Sequence, residues 1–199
     1  MIEFKLFFAL ISYYFVMFVT PGPNNAMLTA SGIKFGFKRT IPHLFGIPFG
    51  HTIQISLVCF GLGAFFQKYP TIQYYLKWLC FAYLLYLGWK IIGSFSDNEK
   101  ETGRPLKFYE AALFQFINPK AWVVALTAAT AFFPNEENFI IATSFIAITA
   151  PFICFPSICL WALFGSSIKI LISNTKIKKI IEYLLALLLL ITAVIIVIN

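Results

Sequence analysis

Phe18-Val19-Thr20-Pro21-Gly22-Pro23-Asn24-Asn25 closes one apolar run and opens another. Pro21 and Pro23 lack a backbone N–H, and their rings clash with the preceding helical turn, while Gly22 between them adds backbone freedom. A helix entering this stretch stops, and the apolar reading resumes at Ala26. Inside a bilayer each freed carbonyl or N–H costs several kcal/mol unless protein or a water-filled cavity satisfies it. The break is therefore either a packed kink or part of a polar site near mid-membrane, with the amides of Asn24 and Asn25 beside it.

Outward from this break the chain reads as an all-α integral membrane protein. Of its 199 residues 60% are hydrophobic, 19% aromatic and 12% charged, whereas a soluble domain carries about 25% charged residues. The longest polar stretch is residues 94–107, so a single membrane domain over residues 1–199 is expected. The net charge of +7 sits in short connections, where it reports orientation and not nucleic-acid binding. Cys59, Cys80, Cys154 and Cys159 fall in apolar spans without C-x-x-C spacing. They read as small core residues, and neither a metal nor a cofactor is expected. Glu3 weakens any basic leader and no small-residue cleavage site follows, so the first apolar run reads as a span and not a signal peptide.

Six spans are expected. The first, residues 4–31, carries the Pro-Gly-Pro break and would make about 42 Å of straight helix, against a hydrocarbon core of about 30 Å. The second, 41–66, holds Pro42, His43, Pro48, His51, Gln54 and a Gly46/Gly50 pair whose spacing allows close helix approach. The third, 72–93, is aromatic. The fourth, 108–133, has Asn118-Pro119-Lys120 in its interior; an acidic turn at 134–138 leads to the fifth, 139–164, with Pro151 and Pro156. The sixth, 180–198, is a Leu/Ile run read as lipid-facing. Lys34, Lys38, Arg39, Lys90, Lys100, Arg104, Lys107, Lys169, Lys176, Lys178 and Lys179 lie at the odd-numbered loops, against Lys5, Lys68 and Lys77 on the other side. The positive-inside rule then puts the odd loops in the cytoplasm and both termini outside.

Sliding the chain on itself by 98 residues lays Phe18-Val19-Thr20-Pro21 over Phe116-Ile117-Asn118-Pro119, and Leu28-Thr29-Ala30 over Leu126-Thr127-Ala128. The chain thus reads as two three-helix repeats, about 1–93 and 108–199, joined by a cytoplasmic loop at about 94–107. An odd number of spans per repeat gives inverted topology, with broken first and fourth helices and a substrate site where the breaks meet.

Lys120 is the most informative side chain. It lies 12 residues past Phe108, about 18 Å along a helix, too deep for easy snorkelling, and no Asp or Glu lies comparably deep. A membrane-buried lysine marks a functional site by default. Two readings stand: an anionic group arrives with the substrate, or Lys120 caps the carbonyls freed at the first break. The amides of Asn24, Asn25 and Asn118, the carbonyls before Pro21 and Pro23, and the half-helix N-terminus at Pro119-Lys120 together describe a zwitterion site. Capping of the kinks alone is the alternative. His51 and Gln54 are candidates for proton coupling, against plain hydrogen bonding within the bundle.

These residues resemble a known family. Thr20-Pro21-Gly22-Pro23-Asn24-Asn25, Gly36-Phe37, Gly46-x-x-x-Gly50, Asn118-Pro119-Lys120 and the aromatic third span ending Gly88-Trp89-Lys90 are similar to the LysE family of amino-acid exporters, in its RhtB-type branch. The form of the first motif is most similar to the cysteine/O-acetylserine exporters. The resemblance implies a multi-pass protein of the bacterial inner membrane that exports amino acids or close derivatives, by proton antiport, and is no enzyme. Its substrate-binding residues would be Pro21, Gly22, Pro23, Asn24, Asn25, Asn118, Pro119 and Lys120. The partners implied are a small-molecule amino acid, protons and the lipid bilayer, without nucleic acid; assembly into a homo-oligomer is left open. Many members carry an acidic residue where this chain has His51. The competing class is a thiol-redox membrane protein of the CcdA/DsbD type, which would need cysteines beside the breaks.

Overall fold

The computed structural model describes residues 4–62, 68–92, 104–132, 139–171 and 175–198. All regular structure among them is helical. Helices α1 (Phe4–Val19) and α2 (Pro23–Phe35) meet at the Pro-Gly-Pro break with a bend of 53°. Gly36, at φ 82°, turns the chain into α3 (Phe37–Leu57), which runs on as a π-helical turn to Leu62; that positive φ favours glycine. Then come α4 (Pro70–Ile91), α5 (Phe108–Phe114), α6 (Pro119–Ala131), α7 (Phe139–Leu171) and α8 (Thr175–Ile198). Pro42 and Pro48 lie within α3, and Pro151 and Pro156 within α7. The proline-rich second and fifth spans are thus continuous helices.

Phe37–Leu62, Ile140–Ile168 and Lys179–Ile198 are long and apolar enough to cross a membrane, and the bent α1–α2 pair makes a fourth if read as one span. The count falls short of six for physical reasons. The stretch expected as the fourth span is two helices of 7 and 13 residues around Gln115–Asn118, each too short to cross alone. Lys77, Lys90 and a run of Tyr and Gln residues dilute the apolarity of α4. The expected loop at 94–107 lies outside the described residues up to 103, as does the acidic turn at 134–138. Large apolar side chains cover the outer faces, among them Phe45, Phe49, Trp89, Ile140, Phe152 and Leu184, a surface suited to hydrocarbon and not to water.

Close contacts of glycine set the helix spacing. A Cβ on Gly46 would collide with the Phe108 carbonyl and one on Gly50 with that of Ala112, so α3 lies directly on α5, as the pair's spacing predicts. Gly32 of α2 approaches the Ala162 carbonyl of α7, and Gly165 of α7 approaches the Thr29 carbonyl of α2. The last helix is not purely lipid-facing: Leu185, Leu189 and Ala193 bury against Cys80 and Leu84 of α4. One core joins α1, α3, α6 and α7 around Tyr14, Ile55, Trp122 and Ile146, and another joins α2, α3, α5 and α7 around Leu28, Ile47 and Ile158. The two breaks sit where these cores adjoin.

Candidate functional site

Ending α1 at Val19 leaves its last four carbonyls without helical partners, and every one is met. Thr20 N–H donates to the Val16 carbonyl (3.0 Å) and the Thr20 hydroxyl to that of Met17 (3.0 Å). Asn25 Nδ2 donates to the Phe18 carbonyl at 2.9 Å, and Trp161 Nε1 of α7 to that of Val19 at 3.1 Å. Within the break, the Thr20 carbonyl accepts from Asn25 Nδ2 (2.7 Å) and from Lys120 Nζ (2.9 Å). Lys120 Nζ also reaches the Thr20 hydroxyl (2.8 Å) and the Pro21 carbonyl (3.2 Å). The Gly22 carbonyl accepts from Ala26 N–H. Gly22 is extended (φ 176°), a conformation open to any residue. Its missing side chain makes room for Lys120, whose Cδ would lie 3.0 Å from a Cβ there.

The second break is tighter. The Gln115, Phe116, Ile117 and Asn118 N–H groups turn back onto carbonyls of residues 112–115. The Asn118 side chain then caps α6 by accepting from Lys120 N–H at 3.1 Å. Trp122 Nε1 takes the Phe116 carbonyl, and Gln54 Nε2 takes that of Gln115 at 3.0 Å. Across the gap Asn24 and Gln115 form a reciprocal amide pair, Nδ2 to Oε1 at 2.9 Å and Nε2 to Oδ1 at 3.2 Å. Between the breaks lies a cavity of about 30 Å³ lined by Phe18, Asn24, His51, Gln115, Asn118 and Lys120, among others, room for about one water molecule. On the other flank of Lys120 a cavity of about 470 Å³ runs toward α4 and α8, walled by Leu76, Ile117, Trp122 and Ile196. Gly22, Pro23 and Lys120 line both.

The structure thus brings the two Pro motifs together and sorts the residues singled out from the sequence. Asn24 and Lys120 bridge the breaks. Asn25 serves the first break's carbonyls and Asn118 serves its own helix, so both spend hydrogen bonds on capping. Lys120 takes the capping position set out above as one of its two readings. His51 and Gln54 join the site from α3, whereas His43 is buried elsewhere, with both ring nitrogens unpartnered. Gln115, Thr20 and Trp161 were not among the expected site residues. Gln115 was detectable as an amide between two phenylalanines, three residues before Asn118. Nothing in the apolar context of Trp161 marks it as a carbonyl cap.

Described cysteines are all free, and none lines either cavity; nothing here favours the redox alternative. Two broken helices meeting inside an apolar helical shell, with a half-buried cation and paired amides between them, fit the plan of a membrane transporter. The chain matches the model of the LysE type translocator over residues 15–199 and belongs to that family. It is 32% identical over 158 residues to the cysteine/O-acetylserine efflux proteins of Salmonella paratyphi A and Salmonella typhi, covering 77% of this chain and 79% of theirs. The Escherichia coli K12 protein of that name is 28% identical over 156 residues, covering 77% of this chain and 79% of its own. No solved structure matches the chain.

Proposed function

We propose that this chain exports amino acids or close derivatives from the cytoplasm by proton antiport, with the two breaks as its substrate site. The observation that carries the reading is the Lys120 ammonium, held on the Thr20 and Pro21 carbonyls across the gap between the halves. Those acceptors are neutral. A substrate carboxylate is charged, and charge-assisted hydrogen bonds are roughly twice as strong as neutral ones, so the carboxylate draws Lys120 away from them. The substrate ammonium then takes the vacated carbonyls and the amide oxygens of Asn24 or Gln115. Its side chain has the wider cavity beside Lys120 to enter. At about 30 Å³ the cavity between the breaks is too small for an amino acid, which supports an unloaded state. The names of the efflux relatives support a small, neutral substrate such as cysteine or O-acetylserine.

Alternating access follows from rocking of one half against the other. Six passes arranged as inverted repeats have packing support, and the distribution of Lys and Arg supports both termini outside. Under the 98-residue offset α3 corresponds to α7 and α4 to α8, and each packs on its own counterpart, as a two-fold axis between them would allow. The test is export from proteoliposomes with a panel of radiolabelled amino acids under an imposed pH gradient. Lys120→Met keeps length and apolarity, and its affinity should fall at least about tenfold, since a buried charge pair broken on one side loses several kcal/mol. Unchanged affinity in Lys120→Met would make the lysine a structural cap and end the carboxylate reading.

A further inference from the structure

His51 has a feature that the capping network does not use. Its ring is 2% exposed and stands edge-on to Phe18, with centroids 5.3 Å apart. Its Nδ1 lies 3.2 Å from Gln54 Oε1. Gln54, fully buried, sends its Nε2 to the Gln115 carbonyl at 3.0 Å. A backbone carbonyl can only accept, so the Gln54 nitrogen must face Gln115 and its oxygen must face the histidine. Gln54 Oε1 in turn can only accept, which makes His51 Nδ1 the protonated nitrogen. The neutral ring is therefore locked in one tautomer, with the lone pair on Nε2. Nε2 is buried without a protein partner, and the ring lines the small cavity between the breaks.

We propose that His51 Nε2 is a shared acceptor, taken in turn by the substrate ammonium and by the exported molecule's counter-ion, a proton. This rests on the exporter reading and supplies its coupling step. With substrate bound, the ammonium donates one N–H to the Nε2 lone pair and the ring stays neutral. After release to the outside, a proton from that side binds the same lone pair, giving the imidazolium, and leaves to the cytoplasm when the next ammonium arrives. One lone pair cannot hold both, so each occupant excludes the other. Electrostatics reinforces the exclusion: Lys120 of α6 lines the same cavity, and adding an imidazolium to an ammonium there would crowd three cations into low dielectric. Lys5, Lys34, Lys38 and Arg39 of the surrounding helices do not line this cavity. Tyr14 of α1 donates to the Ile146 carbonyl, Glu110 of α5 is held by Arg104 and the Lys107 N–H, and Cys154 of α7 is a buried thiol. Asn24 and Asn25 of α2 and Gln115, just after α5, carry no charge.

The experiment is amino acid exchange across proteoliposomes at equal pH on both sides, with cysteine and O-acetylserine among the substrates, together with 15N NMR of histidine-labelled protein. In the wild type, apparent affinity should weaken as pH falls, approaching about tenfold per pH unit once His51 titrates. His51→Gln keeps an amide oxygen as a weaker acceptor, so its affinity should drop severalfold and become flat between about pH 5.5 and 7.5. Its export should no longer respond to an imposed pH gradient. The NMR readout does not depend on any variant's activity: His51 should show a protonated Nδ1 and a bare Nε2 near neutral pH. His43 is the one other histidine, and the spectrum of His51→Gln assigns the two. A proton on Nε2 in the neutral wild type, or gradient-driven export by His51→Gln equal to wild type, overturns the inference while leaving the exporter standing. A wild type that exchanges no amino acid overturns the exporter reading, and the inference with it.

Discussion

At the first break the carbonyls of Phe18, Val19, Thr20 and Pro21 accept from side chains, and the donors Asn25, Trp161 and Lys120 stand on α2, α7 and α6. At the second, the N–H groups of residues 115–118 close back onto carbonyls just before them, and Asn118 caps the next helix. The difference begins in the sequence. Pro21 and Pro23 remove two N–H groups from a short gap, leaving carbonyls that the following backbone cannot serve. Pro119 stands after four residues that all keep theirs. One break is closed mainly by its own backbone N–H groups, with Gln54 of α3 and Trp122 of α6 serving two of its carbonyls, whereas the other is complete only while two more helices lie against it. Any motion separating α6 or α7 from α1 must uncover carbonyls at the first break, the same carbonyls that the proposed function gives to the substrate ammonium.

The sharpest way to break this comparison is to strip the first break of its two nearest donors. Asn25→Ala leaves the Phe18 carbonyl bare, a cost of about 1–3 kcal/mol for a buried unsatisfied group, while Lys120 still serves Thr20. Lys120→Met leaves Pro21 bare while Asn25 still serves Thr20. Because both donors converge on the Thr20 carbonyl, the double variant should lose more than the sum of the singles, by about 1 kcal/mol of coupling. Denaturant titration in detergent measures it. Additive losses would mean that the shared carbonyl is satisfied some other way.

How much of this was legible beforehand depended on whether a partner was local. The Pro-Gly-Pro break, the Gly46/Gly50 contact and the Asn118-Pro119 helix start follow from residue chemistry within a few positions, and the structure has them all. That Lys120 would meet the first break was accessible too, because a deep lysine without an acid needs either a ligand or free carbonyls. The orientation of Asn25 and the arrival of Trp161 were not, since each is decided by packing between helices far apart in sequence. Gln115 sat in plain view as a lone amide, but its pairing with Asn24 depends on how α2 and α5 face each other. The break in the fourth helix was expected, but not that its first half, α5, ends already at Phe114: a turn completed by its own N–H groups leaves no mark in hydropathy.

Trp161 sharpens the comparison from the α7 side. Trp161→Phe keeps most of the ring and removes the one donor to the Val19 carbonyl, so a loss of about 1–2 kcal/mol is expected. The same exchange at Trp122 removes the donor to Phe116 at the second break. If the second break is the self-sufficient one, Trp122→Phe should cost less than Trp161→Phe in the same titration. Equal losses would argue that both breaks lean equally on outside donors.

The smallest effect expected is at Asn118, and it probes the second break alone. Its side chain accepts from Lys120 N–H, so Asn118→Ala removes an N-cap, worth about 1 kcal/mol, without baring any carbonyl. The turn before it is closed by backbone N–H groups that the substitution leaves in place. Asn118→Asp, by contrast, keeps the acceptor and adds negative charge at a helix N-terminus, where the dipole favours it. It also sits beside the Lys120 ammonium in the same cavity wall. Stability of Asn118→Asp should therefore equal or exceed wild type, while transport falls, because a fixed carboxylate competes with the substrate's own for Lys120. Thermal unfolding in detergent read alongside export separates the two effects. An Asn118→Asp protein that is stable and exports at the wild-type rate would place the substrate carboxylate away from this end of the site, and would leave the second break a purely structural turn.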